Sequence, residues 1–286
     1  MAIEKFPDDP VSGYLRVNGA NLQYLDWGGD GPPILILHAT GFLGRLYRPI
    51  AQALRPLGRV YSYDQLGHGG SDAPALEEIS WYRTADDLEA FLEQMRLRGV
   101  RAFGHSAGAT AIAAIADRRP DLIARAILVE PVIVDKSDPR ERPSELYERT
   151  LKRKPAFDSL AAMYANFASK PGYSAWRADI LHDYCEYGTR SDAGGRRLLR
   201  CTPEVEARLY QTARDFDGLQ HILADKIPAL LVFGEKSDSP GIGFAERIAQ
   251  SASHRRIVVI PGGGHLLPME QPEEIARLAV EFFSAA

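Results

Sequence analysis

The chain has 286 residues, 45% hydrophobic and 25% charged, a globular composition that excludes collagen-like and disordered chains and leaves room for a sizeable core in one or two domains. Its formal charge of −4 is small and of the wrong sign for a nucleic-acid footprint, so neither DNA nor RNA is an expected partner. Its two cysteines, Cys185 and Cys201, have no CxxC spacing and are read as free structural thiols rather than a disulfide framework or zinc ribbon.

In chain order, Met1–Pro10 lacks the cationic start and apolar run of a secretory signal. Tyr14–Val17 and Leu22–Trp27 flank Asn18-Gly19, a dipeptide of tight hairpins, so an antiparallel hairpin opens the fold. Ile34–Leu37 is a continuous apolar run of the kind buried on both faces in parallel sheets, and similar runs follow at 60–63, 100–103, 126–129, 229–233 and 257–260. Helical patterns at 46–54, 82–95, 107–117, 244–250 and 273–283 alternate with them. Such alternation specifies βαβ units and an α/β, doubly wound, mostly parallel sheet of about eight strands.

The alternation stops between about Asp135 and Gln220, where no strand-like run appears and aromatic, Arg-rich helical segments follow one another. A structureless loop of that length is rare inside a compact domain, so residues 135–220 are expected to form an inserted helical cap on a core of residues 1–134 and 221–286. The mixed charges of Arg140–Lys154 read as a solvated helix face. No apolar run, 107–116 included, reaches the roughly 20 residues that cross a bilayer, so a cytoplasmic protein with no membrane partner is expected.

Gly104-His105-Ser106-Ala107-Gly108 places G-x-S-x-G between an apolar strand and an Ala-rich helix, the setting of a nucleophile elbow. Ser106 then needs a base and the base needs a carboxylate. Of seven histidines, His265 has the fitting context: it follows the strand 257–260 and three glycines and precedes the last helix. His38 and His68 read as loop and turn residues, and His182, His221 and His254 have no convergent context. Two acids fit the order Ser, acid, His: Asp238, after the strand 229–233, which is favoured, and Glu130, after the strand 126–129, as the alternative. The N–H groups of Ala107 and Thr40 are the candidate oxyanion donors. Trp176, Tyr164, Phe167 and His105 are candidate substrate contacts.

These pieces together resemble the α/β-hydrolase fold family, in its capped serine esterase and lactonase branch. His38-Ala39-Thr40-Gly41-Phe42 resembles the family's H-G-x-x-G, and Asp64-Gln65-Leu66-Gly67-His68-Gly69-Gly70-Ser71-Asp72 resembles its D-x-x-G-H-G-x-S-D. The elbow, Gly234–Asp238 and Gly264-His265 complete the resemblance, which covers nearly the whole chain. Two departures stand out: Ala39 replaces the usual Gly, and Asp238 lies four residues after Gly234 where three is commoner. Some lactonases of the family take the acid from the strand that here ends at Glu130.

Epoxide hydrolases and haloalkane dehalogenases resemble this chain in fold but carry Asp where it has Ser106. No G-x-G-x-x-G follows the first parallel strand, there is no P-loop, and no His/carboxylate set has metal spacing, so neither cofactor nor metal is expected. The expected partner is a small-molecule ester or lactone, cleaved by two-step acyl transfer. The other readings are a non-turnover or slow small-molecule receptor that retains the constellation, and a C–C bond hydrolase on the same fold.

Overall fold

The computed structural model describes residues 9–135, 145–251 and 255–285; the start of the chain, the first part of the Arg140–Lys154 run and His254 lie outside them. The chain opens with β1 (Val11–Val17) and β2 (Ala20–Gly28), paired antiparallel. Asn18 and Gly19 hold φ of 45° and 88°, the left-handed values that a two-residue hairpin turn requires.

β3 (Pro33–Leu37), α1 (Arg48–Leu54), β4 (Arg59–Tyr63), α2 (Trp81–Gln94), β5 (Val100–His105), α3 (Ala107–Arg118) and β6 (Ile123–Val129) then alternate. After an insertion the pattern resumes with α9 (Gly218–Leu223), β10 (Ala229–Gly234), α10 (Ala245–Ser251), β11 (Arg255–Ile260), α11 (Leu267–Glu270) and α12 (Pro272–Ser284). The sheet has eight strands in the order β1-β2-β4-β3-β5-β6-β10-β11. From β4 to β11 all pairings are parallel. Five of the apolar runs read from the sequence are its central strands, Ile34–Leu37 and Leu231–Phe233 being fully buried, whereas the run 257–260 is the edge strand β11, where Val259 is exposed. One core lies between the sheet and α2, α3 and α9, and the other between the sheet, α1, α12 and part of the insertion.

The insertion contains α4 (Glu145–Leu151), β7 (Ala156–Phe157), α5 (Leu160–Ala168), α6 (Pro171–Ser174), α7 (Ala178–Tyr187), β8 (Thr189–Ser191), β9 (Arg197–Leu199) and α8 (Pro203–Thr212). It is not purely helical as expected. Three strands of two or three residues form a small antiparallel sheet, β7-β9-β8, too short to show period-2 alternation. The return to the core begins a little before residue 221, since Leu219 and Ile222 of α9 are buried in the main core.

Both thiols are buried and unpaired with each other, and burial pushes each up to about 12. No helix among the described residues is long and apolar enough to cross a membrane.

Candidate active site

Strand order brings the chemistry together. β3, β5 and β6 are neighbours, so the loops leaving their carboxyl ends meet at one edge, where open α/β sheets bind ligands.

Ser106 sits between β5 and α3 with φ 53° and ψ −120°, a strained conformation for a residue with a Cβ. The flanking glycines make that turn feasible. A Cβ on Gly104 would lie 2.5 Å from the Ala109 Cα, and one on Gly108 2.5 Å from the Leu37 carbonyl oxygen. Helix and strands therefore approach closely enough to lift the Ser106 hydroxyl over the sheet.

His265 Nε2 stands 3.1 Å from Ser106 Oγ, and its Nδ1 stands 3.0 Å from Glu130 Oε2. The carboxylate can only accept, so Nδ1 carries the proton and Nε2 is left to accept from the serine hydroxyl. Glu130 is fully buried, and its oxygens also accept from the Gly234 N–H at 2.6 Å and the Ser237 hydroxyl at 2.6 Å. Its backbone, like that of Ser106, has positive φ, 48°. The two sharp strand exits stand side by side.

Asp238, the favoured acid, does not take this place. It is exposed, and its loop reaches the site through Ser237, which donates to Glu130. The Glu130 carboxylate holds the contact with Nδ1, supported by Gly234 and Ser237, and a second carboxylate there would meet like-charge repulsion. The base loop is fixed independently: Lys236 N–H donates to the Gly263 carbonyl and Gly264 N–H to Glu270.

In the loop after β3, Ala39 N–H donates to Tyr47 Oη, Gly41 N–H to His68 Nε2 and Phe42 N–H to the Ala39 carbonyl. Thr40 N–H and Ala107 N–H have no acceptor among the described residues, and both residues are buried. The D-x-x-G-H-G stretch buttresses this loop. His68 holds Gly41, Asp64 accepts from the Gly44 and Gly70 N–H groups, and His38 Nε2 accepts from Gln65 N–H.

The remaining candidates separate. Trp176 packs edge-on to Phe42 with ring centroids 5.2 Å apart, and its buried indole N–H has no partner among the described residues. Tyr164 is half-buried. Phe167 is enclosed by Phe157, Tyr173 and Tyr184, in the insertion's own core rather than at the site. His105 is no substrate contact either: its side chain is fully buried and both ring nitrogens are engaged inside the protein.

Sequence reading passed over Tyr47, Ser237, Arg153 and Glu206. Arg153 belongs to the run taken as a solvated face, yet it is largely buried, ion-paired to Glu206 and 3.0 Å from Tyr184 Oη. Glu206 lies against Gly41, its carboxylate 3.0 Å from where a Cβ would stand. A lone arginine in a charged run gives no local sign of turning inward.

A hydroxyl, an imidazole and a buried carboxylate in line, with two unengaged backbone N–H groups on the loops after β3 and β5, can run nucleophilic acyl transfer. The chain is 26% identical over 265 residues to the 2-(acetamidomethylene)succinate hydrolase of Mesorhizobium japonicum, covering 90% of each chain. It is 24% identical over 288 residues to a bifunctional esterase/perhydrolase of Acinetobacter calcoaceticus, covering 94% of this chain and 99% of the relative. Among solved structures, an E-2-(acetamidomethylene)succinate hydrolase superposes with a TM-score of 0.82 at 22% identity over 96% of this chain and all of that one. The enol-lactonase of Burkholderia xenovorans superposes with 0.76 at 20% identity over 96% and 100%. The family model matches residues 34–278, from β3 into α12 and so across every element that carries the site, and the chain belongs to the alpha/beta hydrolase family.

Proposed function

We propose that the protein is a serine hydrolase that cleaves a carboxylic ester or lactone of a small to medium molecule through an acyl-enzyme. The observation that carries this reading is the run Ser106 Oγ, His265 Nε2 at 3.1 Å, His265 Nδ1 and Glu130 Oε2 at 3.0 Å.

In the first step Ser106 Oγ attacks the substrate carbonyl as its proton passes to His265 Nε2. The Thr40 and Ala107 N–H groups hold the oxyanion, and Glu130 steadies the imidazolium. Collapse expels the alkoxide, which takes the proton back from His265, leaving the acyl group on Ser106. Water then repeats the sequence with His265 as base and releases the acid. A lactone opens by the same steps without losing a fragment.

The insertion acts as a cap over this edge, with Trp176 as an apolar wall beside Phe42. The Arg153–Glu206 ion pair lies over the Gly41 end of the oxyanion loop and carries no net charge, so it braces the insertion against that loop.

Steady-state hydrolysis of a p-nitrophenyl ester, with stoichiometric loss of activity on titration by an organophosphonate, tests the reading. A burst of about one equivalent followed by no turnover would instead identify a receptor that retains the constellation.

A further inference from the structure

We propose that Tyr47 and His105 form a buried positioning relay that holds the oxyanion loop and the base loop in one register behind Ser106. The inference rests on the serine-hydrolase reading and adds to it two residues that touch no substrate.

Four groups make a continuous chain of hydrogen bonds. The Ala39 N–H reaches Tyr47 Oη at 3.1 Å, Tyr47 Oη reaches His105 Nδ1 at 2.7 Å, and His105 Nε2 reaches the His265 carbonyl oxygen at 2.8 Å. Tyr47 and His105 are completely buried and Ala39 nearly so.

The direction of every bond is determined. The His265 carbonyl can only accept, so His105 Nε2 carries a proton. Burial, with the nearby His265 adding to it, lowers the His105 pKa to about 3, so the ring is neutral and Nδ1 is bare. Tyr47 must then donate to Nδ1, and its oxygen is free to accept from Ala39. Every polar group in the chain is used, with the buried donors and acceptors matched in one arrangement only.

The ends of the chain are what give it a function. Ala39 directly precedes Thr40, whose N–H is the proposed oxyanion donor. The carbonyl belongs to His265 itself, so the bond fixes the backbone from which the imidazole swings. His105 directly precedes Ser106. The relay thus ties donor, nucleophile and base together from the side away from substrate. Aromatic packing stiffens it, with Tyr47 lying against Phe103 and His105, and His105 against His265. Misplacement of reacting groups by about 1 Å costs on the order of 10²-fold in rate, so a relay of this kind acts on kcat.

The test uses the full-length enzyme and one p-nitrophenyl ester. Tyr47→Phe keeps the packing and removes the hydroxyl. His105→Gln keeps an N–H for the His265 carbonyl, while His105→Leu does not. Expected are a fall in kcat of about 10- to 100-fold for Tyr47→Phe with KM within about threefold, and an order in kcat of wild type, His105→Gln, His105→Leu. The double variant Tyr47→Phe/His105→Gln should be little slower than the slower single variant, because both break one chain. Rates are expressed per phosphonate-titrated site, so partial unfolding does not enter them. Active wild type with unchanged kcat in folded Tyr47→Phe and His105→Gln overturns the relay alone, as do fully multiplicative effects in the double variant. A wild type that neither turns over ester nor reacts with the phosphonate overturns the hydrolase reading and the relay with it.

Discussion

Glu130 Oε2 lies 3.0 Å from His265 Nδ1 across the carboxyl ends of the sheet, and the loop that holds Asp238 contributes only the Ser237 hydroxyl to that carboxylate. The carboxylate against the proposed base therefore leaves β6, the immediate neighbour of the strand that ends at Ser106, rather than β10. Glu130→Gln keeps the shape and the strained backbone but offers Nδ1 no fixed negative acceptor. It is expected to lower kcat by about 10³- to 10⁴-fold, as loss of a tautomer-fixing carboxylate does. Asp238→Asn, at an exposed position, should change kcat by less than about threefold. Ester kinetics on both folded variants check this, and the reverse ranking would remove Glu130 from the role.

The sheet and the elbow were legible because their signals are local. Buried runs such as Ile34–Leu37 announce parallel strands, and the spacing of Gly104, Ser106 and Gly108 is demanded by contacts within one turn. The acid was not, because Glu130 and Asp238 both end parallel strands, and only strand order and the bonds from Gly234 and Ser237 distinguish them. His105 was misread for a related reason: its partners, Tyr47 and the His265 carbonyl, are remote in sequence, and a polar residue beside a nucleophile looks like a substrate contact until its burial is known. Tyr47 carried no local signal at all. Arg153 was hidden in a charged run, since nothing in the run marks which cation faces inward.

Ser106→Ala should lower ester turnover by at least about 10³-fold with the fold intact. The strained backbone adds a second readout. Alanine has a Cβ and inherits the φ of 53°, whereas glycine accepts it freely. Ser106→Gly should therefore be more stable than Ser106→Ala by about 1 kcal/mol, the relief of strain exceeding the added chain entropy. Urea unfolding of the two inactive variants measures the difference, and an equal or lower midpoint for glycine would show that the turn is not strained.

Stability should fall in mild acid. Burial lowers the pKa of His38 well below its ordinary value, that of His68 to about 4 and that of His105 to about 3. Each is neutral in the fold yet takes up a proton on unfolding below about 6.5, so its contribution is present above that pH and lost as pH falls. Asp64 acts in the opposite sense: burial raises it to about 6, so it is protonated in the fold between about 4 and 6 and releases its proton on unfolding. Three groups against one leave a net uptake of about two protons near pH 5, or roughly 3 kcal/mol lost per unit of pH. Urea midpoints at pH 7, 6 and 5 check the slope, and a midpoint constant over that range contradicts it.

Trp176 is expected to select substrate by size, while the Arg153–Glu206 pair braces the insertion. Both bear on Tyr184, Arg153 through the 3.0 Å contact with its hydroxyl and Trp176 through ring centroids 5.9 Å apart. Trp176 also covers Phe42 at the end of the oxyanion loop. Replacing the ring by alanine opens apolar space, so Trp176→Ala should alter kcat/KM for long acyl esters by at least about tenfold more than for acetyl esters. Arg153→Met keeps length and apolar bulk but strands the buried Glu206 carboxylate, a change that is destabilising in itself. The double variant Arg153→Met/Glu206→Gln removes both charges and is the cleaner comparison. Because that change leaves the local net charge at zero, kcat/KM for an ester carrying a distal carboxylate and for a neutral isostere of the same length should change by factors within about threefold of each other. A loss confined to the carboxylate ester would overturn this reading and make Arg153 a reader of substrate charge.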